Sequence, residues 1–132
     1  MESILKGEDT KLIDYKGTQL SPDELLERIS KLGFCVTDSK GYFVEVNDHY
    51  ADFYGFAKDD LIGKHFTTVV PEAGKAFATK MHDDFINGSV EIPASWDVQK
   101  QDGSIAKVWV EAIRVVNNGQ PSKLTTVEEI EE

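Results

Sequence analysis

The sequence contains little that could crosslink the chain, hold a metal cluster or anchor it in a membrane. Its single cysteine, Cys35, excludes an internal disulfide and any thiolate metal cluster, which suits a reducing cytoplasm. No apolar run approaches the ~20 residues of a transmembrane helix, and residues 1–9 lack the basic and apolar regions of a secretory signal. We therefore expect a cytoplasmic protein without a membrane segment.

Positive charge is also scarce, because 14 lysines and arginines face 24 aspartates and glutamates and the net charge is -10. This excess of negative charge repels phosphate backbones and anionic lipid headgroups, which argues against nucleic acid and membranes as partners. The acidic run is at the C-terminus, at Glu128, Glu129, Glu131 and Glu132. The remaining charge is evenly spread and is typical of a solvated surface.

Motifs for catalysis are missing as well. The chain has no glycine-rich phosphate loop, no nucleophile elbow and no histidine pair at metal-binding spacing. His82, Asp83 and Asp84 are adjacent on a predicted helix, so their side chains diverge instead of converging on a metal. The remaining alternative is a small isomerase with an aspartate base in a cavity. Such an enzyme is expected to have a buried pair of an aspartate and a tyrosine, and no such pair can be identified in this sequence. We expect no enzyme activity and no metal site.

What the 132 residues do contain is enough apolar surface for one packed domain, with 40% hydrophobic and 10% aromatic residues. We divide the chain into an N-terminal arm at 1–20, an amphipathic cap helix at 21–32, a main domain at 33–127 and an acidic tail at 128–132. The arm has no clear periodicity, and it is predicted to be either mobile or docked on the main domain.

The cap helix has strong local signals. Ser21–Glu24 is a capping box with proline at the first helical position, and Gly33 is predicted to end the helix. Leu25, Ile29 and Leu32 recur at helical spacing and form one apolar stripe. This stripe must be buried against another surface, either of this chain or of a partner.

Strands and short helices alternate through the main domain. The predicted order is two strands joined by a turn, two short helices, a longer helix and three antiparallel strands, at 34–37, 42–46, 47–55, 58–63, 71–87, 90–99, 105–115 and 123–127. The strand at 105–115 is apolar on both faces, so both must be covered. The longer helix can cover one face. The cap helix or a second subunit can cover the other, which carries Trp109 and Ile113.

Four segments of the main domain together resemble the PAS domain family. They are an Asp–Gly turn followed by an apolar strand and an asparagine, an aromatic–Gly–aromatic step, an acidic–Leu–Ile–Gly turn and a late hairpin turn, at Asp38–Asn47, Tyr54–Phe56, Asp59–Gly63 and Lys100–Ser104. The resemblance implies an α+β fold. A five-stranded antiparallel sheet would carry short helices and one longer helix on one face, above a small cavity, and the cap helix would be an N-terminal addition.

Members of the family that the chain resembles use different cofactors, and some of these are excluded here. The light-oxygen-voltage type requires a cysteine shortly after the Leu–Ile–Gly turn, and photoactive yellow protein requires one just beyond, but residues 64–74 contain none. A flavin–cysteine adduct is therefore not expected. Haem is disfavoured, because His82 lies about 100° around the helix from Met81 and is predicted to face solvent. A non-covalent flavin or a small metabolite stays open.

The resemblance implies a sensory module that binds a small ligand or cofactor and signals through its sheet to a dimer mate or a signalling partner. The alternative is a ligand-free PAS module for protein–protein interaction or dimerisation. The candidate cavity residues are Cys35, Phe56, His65, Phe66, Phe77, Met81, Trp96 and Val110. The candidate interface residues are Leu25, Ile29, Leu32, Trp109 and Ile113.

Overall fold

The computed structural model describes residues 12–130, and this part of the chain forms seven strands and four α-helices. In chain order they are β1 (Ile13–Tyr15), β2 (Thr18–Leu20), α1 (Pro22–Ile29), β3 (Gly33–Thr37), β4 (Phe43–Val46), α2 (Asp48–Tyr54), α3 (Lys58–Leu61), α4 (Lys75–Ile86), β5 (Ala94–Gln99), β6 (Ile105–Asn117) and β7 (Gln120–Glu129). Two short 3₁₀ segments, Phe66–Val69 and Glu72–Gly74, precede α4.

The main sheet has five antiparallel strands in the order β4-β3-β7-β6-β5. The predicted α+β architecture with a five-stranded antiparallel sheet is therefore confirmed. Strand β7 pairs over its whole length with residues 108–117 of β6, and the two strands are joined at Asn118 and Gly119, both with positive φ. This is the backbone of a tight two-residue hairpin whose twist matches that of the strands.

The inner face of the sheet packs against α2, α3 and α4. Successive side chains of a strand point to opposite faces, so Val108 and Val110 of β6 lie on this side. The inner core consists of Cys35, Phe43, Val46, Tyr50, Ala51, Tyr54, Leu61, Val69, Val98, Val108, Val110 and Val127. Asn47 fixes the entry to α2, because its side chain accepts from the Tyr50 N–H and the Phe34 N–H.

The outer face is covered by α1 and by the β1–β2 hairpin of the same chain. The capping box of α1 is present as predicted, with Ser21 and Glu24 each bonded to the backbone of the other. The second core cluster consists of Leu20, Leu25, Ile29, Phe34, Val36, Ile113, Val115 and Leu124. The same chain therefore covers β6 on the inner face at Val108 and Val110 and on the outer face at Ile113 and Val115.

This packing corrects most of the predicted interface. Leu25 and Ile29 are fully buried and Ile113 is 4% exposed, so none of the three is available to a second subunit. Leu32 is partly buried against the same cluster. The apolar stripe of α1 packs against the sheet of its own chain. Helical periodicity alone cannot distinguish this arrangement from packing against a second subunit. Trp109 is 41% exposed and stays at the surface.

The ends of the cap helix and of the last strand differ from prediction, whereas the described part of the arm is docked, which is one of the two predicted alternatives. Residues 12–20 of the predicted arm form a docked hairpin, in which Lys16 and Gly17 have the positive φ of a tight turn, and residues 1–11 lie outside the described part. Its three-residue strands are too short to show an alternating pattern. Helix α1 ends at Ile29, before the predicted end at 32. Strand β7 continues to Glu129, so the tail predicted at 128–132 begins inside the sheet.

The predicted strand at 90–99 was too long. Strand β5 begins at Ala94, and Val90 and Ile92 are 88% and 77% exposed on the loop before it. Pro93 has no N–H to donate to a neighbouring strand, so the alternation of residues 90–93 does not continue into the ladder. The apolar side chains of this loop, residues 87–93, therefore face solvent.

Gly33 has a different role from the predicted one. It is the first residue of β3, and a Cβ there would lie 2.9 Å from Val127 Cγ2 and 3.1 Å from the Tyr50 Cα. Its missing side chain allows α2 to approach the sheet.

We expect Gly33→Ala to lower the free energy of unfolding by about 1–3 kcal/mol, the usual cost of overpacking. Gly74→Ala is the matched control, because its Cβ would lie 3.4 Å from Val70 and its backbone has no positive φ. Urea denaturation of both variants measures the difference. Equal stability of the two variants would contradict the close packing assigned to Gly33.

Candidate functional site

A cavity of about 80 Å³ lies between the inner face of the sheet and the helices α2 and α4. Its walls are largely apolar, and polar groups gather at two ends. The lining residues are Cys35, Thr37, Tyr50, Tyr54, Phe66, Val69, Val70, Ala78, Met81, His82, Glu91, Trp96, Asp97, Val98, Val110, Lys123, Thr125 and Val127. The volume corresponds to about two to three water molecules, so the cavity as it stands suits a very small ligand.

A thiol and two phenols form one end of the cavity. The Tyr50 hydroxyl interacts with the Cys35 thiol and with the Tyr54 hydroxyl, and the rings of Tyr50 and Tyr54 are 4.6 Å apart. Burial raises the pKa of the Cys35 thiol to about 12 and raises the pKa of both tyrosines. All three groups are therefore protonated and neutral, and Cys35 is not a reactive thiolate.

The other end begins with a hydrogen bond between strand β3 and helix α4. Thr37 Oγ1 lies 2.8 Å from His82 Nε2 and donates to the Lys123 carbonyl oxygen at 3.4 Å. The direction of this bond between Thr37 and His82 depends on which imidazole nitrogen carries the proton. The other nitrogen, His82 Nδ1, is buried, and within residues 12–130 it has no hydrogen-bond partner.

His82 is held neutral by its surroundings. Burial lowers its pKa to about 4, and the positive charge of Lys123 and the neighbouring His65 act in the same direction. The carboxylates of Asp83 and Asp38 oppose this lowering but do not overcome it. At neutral pH the cavity therefore contains an uncharged imidazole.

The position of His82 corrects the prediction that it faces solvent, because it is 2% exposed and stacks on Phe66. Helix α4 turns Ala78, His82 and Phe85 to the sheet, whereas Phe77, which was predicted to line the cavity, lies on another side of the helix. A polar residue can occupy a buried position on a helix when a hydrogen-bond partner lies within reach, as the Thr37 hydroxyl does for His82. Phe77 is 59% exposed as a result.

A buried ion pair completes this end. Lys123 Nζ on β7 donates to Glu91 Oε1 on the loop at 87–93, and the two side chains are 9% and 5% exposed. Lys123 Nζ also lies 5.2 Å from the centre of the Phe85 ring, and the Arg114 guanidinium lies 4.3 Å from it. A charge buried this far requires a counter-ion, so Lys123 and Glu91 depend on each other.

Five of the eight predicted cavity residues line the cavity: Cys35, Phe66, Met81, Trp96 and Val110. The other three do not. Phe56 packs at the edge of the inner core, and Phe77 covers Trp96 from the surface with ring centres 5.7 Å apart. His65 caps the first 3₁₀ segment, where its Nδ1 accepts from the Thr67 N–H, and its ring contacts Tyr42.

Most polar residues of the cavity were not predicted from the sequence: Thr37, Tyr50, Tyr54, His82, Glu91, Asp97, Lys123 and Thr125. One signal was available for the strand residues: once β3 and β7 are paired, Thr37 is opposite Lys123 and Cys35 is opposite Thr125 on the inner face. Glu91 carried no such signal, because it lies on a loop.

The residues present do not fit a flavin or a haem. A cavity of about 80 Å³ is well below the ~300–1,000 Å³ of pockets for larger organic ligands. The imidazole nitrogen His82 Nε2 is already committed to Thr37. Across residues 12–130, no three His, Cys, Asp or Glu side chains gather as a metal site would require.

We expect His82 to make stability fall at acid pH. Its pKa is lower in the folded chain, about 4, than its usual value near 6.5 when unfolded. The contribution of the neutral His82 to the free energy of unfolding is therefore complete above pH 6.5. It decreases as the pH falls towards 4, by at most about 3 kcal/mol. Urea denaturation from pH 7.5 to pH 4 should show a steeper loss for the wild type than for His82→Gln.

His49→Gln is the control for this series, because His49 is exposed on α2. It should follow the wild-type curve. Parallel curves for the wild type and His82→Gln would show that burial does not affect the protonation of His82.

Comparison with known proteins agrees with this geometry. The family model described as PAS domain matches residues 31–132, and no curated protein matches the chain. Solved structures with the same fold include the PAS domain of an HTR-like protein from Haloarcula marismortui, at 21% identity and a TM-score of 0.61, covering 82% of this chain and 96% of that one.

Two further structures extend the comparison. The PAS domain of the fruit-fly ELK potassium channel has 13% identity and a TM-score of 0.67, with 83% of this chain and 97% of that one covered. A PAS domain from Colwellia psychrerythraea has 16% identity and the same TM-score, with 80% and 97% covered. Within the described part of this chain, no helix is long and apolar enough to cross a membrane. The family match covers most of the sequence, and the chain belongs to the PAS domain family.

Proposed function

We propose that the chain is a sensory module that takes up a small ligand in its cavity and signals through the sheet to a second copy of the chain. Membership of the PAS domain family supports the general sensory and signalling role. The alternative, a ligand-free interaction module, would use the same outer surface but would need no polar groups in the cavity.

The unpartnered His82 Nδ1 is the observation that favours ligand binding. Buried polar atoms in folded proteins are nearly always hydrogen-bonded, because an unmade bond costs about 1–3 kcal/mol. Here one such atom belongs to a residue that lines a cavity with room for a few heavy atoms. A ligand with a polar group that hydrogen-bonds to Nδ1 would satisfy it, and the apolar walls would bury the remainder of the ligand.

The sheet offers a short route from the cavity to the opposite surface. In β7, Lys123, Thr125 and Val127 face the cavity side, and the residues between them face α1. On β6, Ile105 and Trp109 share the outer face and are 56% and 41% exposed, beyond the part that α1 covers. We place the surface for the second copy at these two residues.

We expect a small neutral diol to bind in the cavity. Titration of the ¹⁵N-labelled wild type with ethylene glycol should give saturable amide shifts at lining residues such as Thr37 and Lys123. Ala78→Leu should abolish these shifts, because Ala78 lines the cavity, whereas Ala76→Leu on the exposed side of α4 should retain them. Linear, unsaturable shifts in the wild type would favour the ligand-free alternative.

We expect the chain to dimerise through the outer face. Trp109→Glu should reduce the mass in sedimentation equilibrium from that of a dimer to that of a monomer, because a carboxylate replaces an exposed apolar ring. Ile62→Glu is the matched control, since Ile62 is also 41% exposed but lies after α3. A monomeric wild type, or a dimeric Trp109→Glu variant, would contradict this surface.

A further inference from the structure

The loop at 87–93 closes the cavity with a carboxylate. Glu91 belongs to no helix or strand, and its neighbours Val90 and Ile92 are 88% and 77% exposed. The Glu91 side chain nevertheless reaches inward and is 5% exposed at Lys123. Beyond this ion pair, the loop is tied at its start, where the N–H groups of residues 87–89 donate to carbonyls of α4 and the Ser89 carbonyl accepts from Arg114. Apolar packing contributes little to holding the loop in place.

The buried ammonium group of Lys123 determines which charge its neighbour in the cavity must carry. Its side chain is 9% exposed on the inner face of the central strand, so its ammonium group has lost most of its hydration. The Phe85 ring offers only a partial substitute for water. Removing Glu91 without replacing its charge would leave a buried, unpaired cation, which is strongly unfavourable. A neutral molecule therefore cannot displace Glu91 without such a penalty, whereas a monoanion leaves the charge of the site unchanged.

We propose that Lys123 is the binding site for a small monocarboxylate that displaces Glu91 and releases the loop at 87–93. This inference deepens the proposed function, on which it rests, by naming the ligand class and the moving segment. The cavity of about 80 Å³ adjoins Lys123 and limits the ligand to the size of formate or acetate. Arg114 adds a second cation beside Phe85 and attracts anions to this end of a chain whose net charge is -10.

Competition with Glu91 determines the concentration of free carboxylate that is required to occupy Lys123. Because Glu91 is attached to the chain, it occupies Lys123 at a high effective concentration, and a free carboxylate binds only the fraction of molecules whose loop is open. Acetate should therefore bind Glu91→Ala at least about tenfold more tightly than it binds the wild type. In the wild type, bound acetate should increase hydrogen exchange at the amides of residues 88–92.

The experiment is a rescue of stability by a free carboxylate. The melting temperature of Glu91→Ala should fall by several degrees and recover with sodium acetate in a saturable manner, but not with sodium chloride at the same ionic strength or with acetamide. Glu91→Gln keeps an acceptor for Lys123 and should respond in the same way if the alanine variant does not fold. Hydrogen exchange of the wild type with and without acetate then tests release of the loop.

Two controls make the rescue specific to Lys123. The double variant Glu91→Ala/Lys123→Met should not respond to acetate. Glu111→Ala should not respond either, because it removes a carboxylate from an ion pair with the exposed Lys16. Equal stabilisation of the double variant by acetate, no rescue of either Glu91 variant, or unchanged exchange in the acetate-treated wild type would overturn the proposal. Saturable binding of ethylene glycol together with any of these results would leave the proposed sensory function standing.

Discussion

The structure depends on a five-stranded sheet that packs on both faces against other elements of the same chain and leaves Ile105 and Trp109 of its outer face exposed. The central strand β7 shows the consequence most clearly, because Leu124 points into the cluster under α1 and Lys123 points into the layer under α4. Successive residues of each strand therefore point into two different environments, and alternate positions must suit one or the other. The β1–β2 hairpin and α1 make this arrangement possible within a single chain, since without them Val36 and Ile113 would be open to water.

The two layers differ in chemistry. The outer cluster is built from aliphatic and aromatic side chains, and it stabilises the fold by excluding water. The inner layer buries a thiol, two phenols, an imidazole and an ion pair around a cavity. Replacing a buried ion pair by apolar residues is often neutral or stabilising, so a layer meant only for stability would gain nothing from Lys123 and Glu91. The ion pair and the cavity beside it are therefore the reason for proposing that the ligand binds in the inner layer.

The sequence predicted the elements with strong local signals. The capping box at Ser21 and the apolar strand at 105–115 identified α1 and β6, and the recurring turn motifs identified the family. It could not predict partners that the tertiary fold creates: Leu25 and Ile29 form the same stripe whether they meet their own sheet or a second subunit. His82 was misplaced because it lies about 100° around the helix from Met81, which was expected to face the cavity, whereas the hydroxyl of Thr37, 45 residues away in the chain, makes its burial favourable.

The proposed coupling between the cavity and the outer surface would run along the edge of the sheet. The loop that carries Glu91 leads directly into β5, an edge strand held on one side only, by β6. An edge strand can shift by changing one set of hydrogen bonds, whereas moving β7 would disturb two. Ser95 of β5 is paired with Trp109 of β6, the exposed residue assigned to the second copy. Release of Glu91 on carboxylate binding would therefore act on the strand that borders Trp109, without disturbing either core cluster.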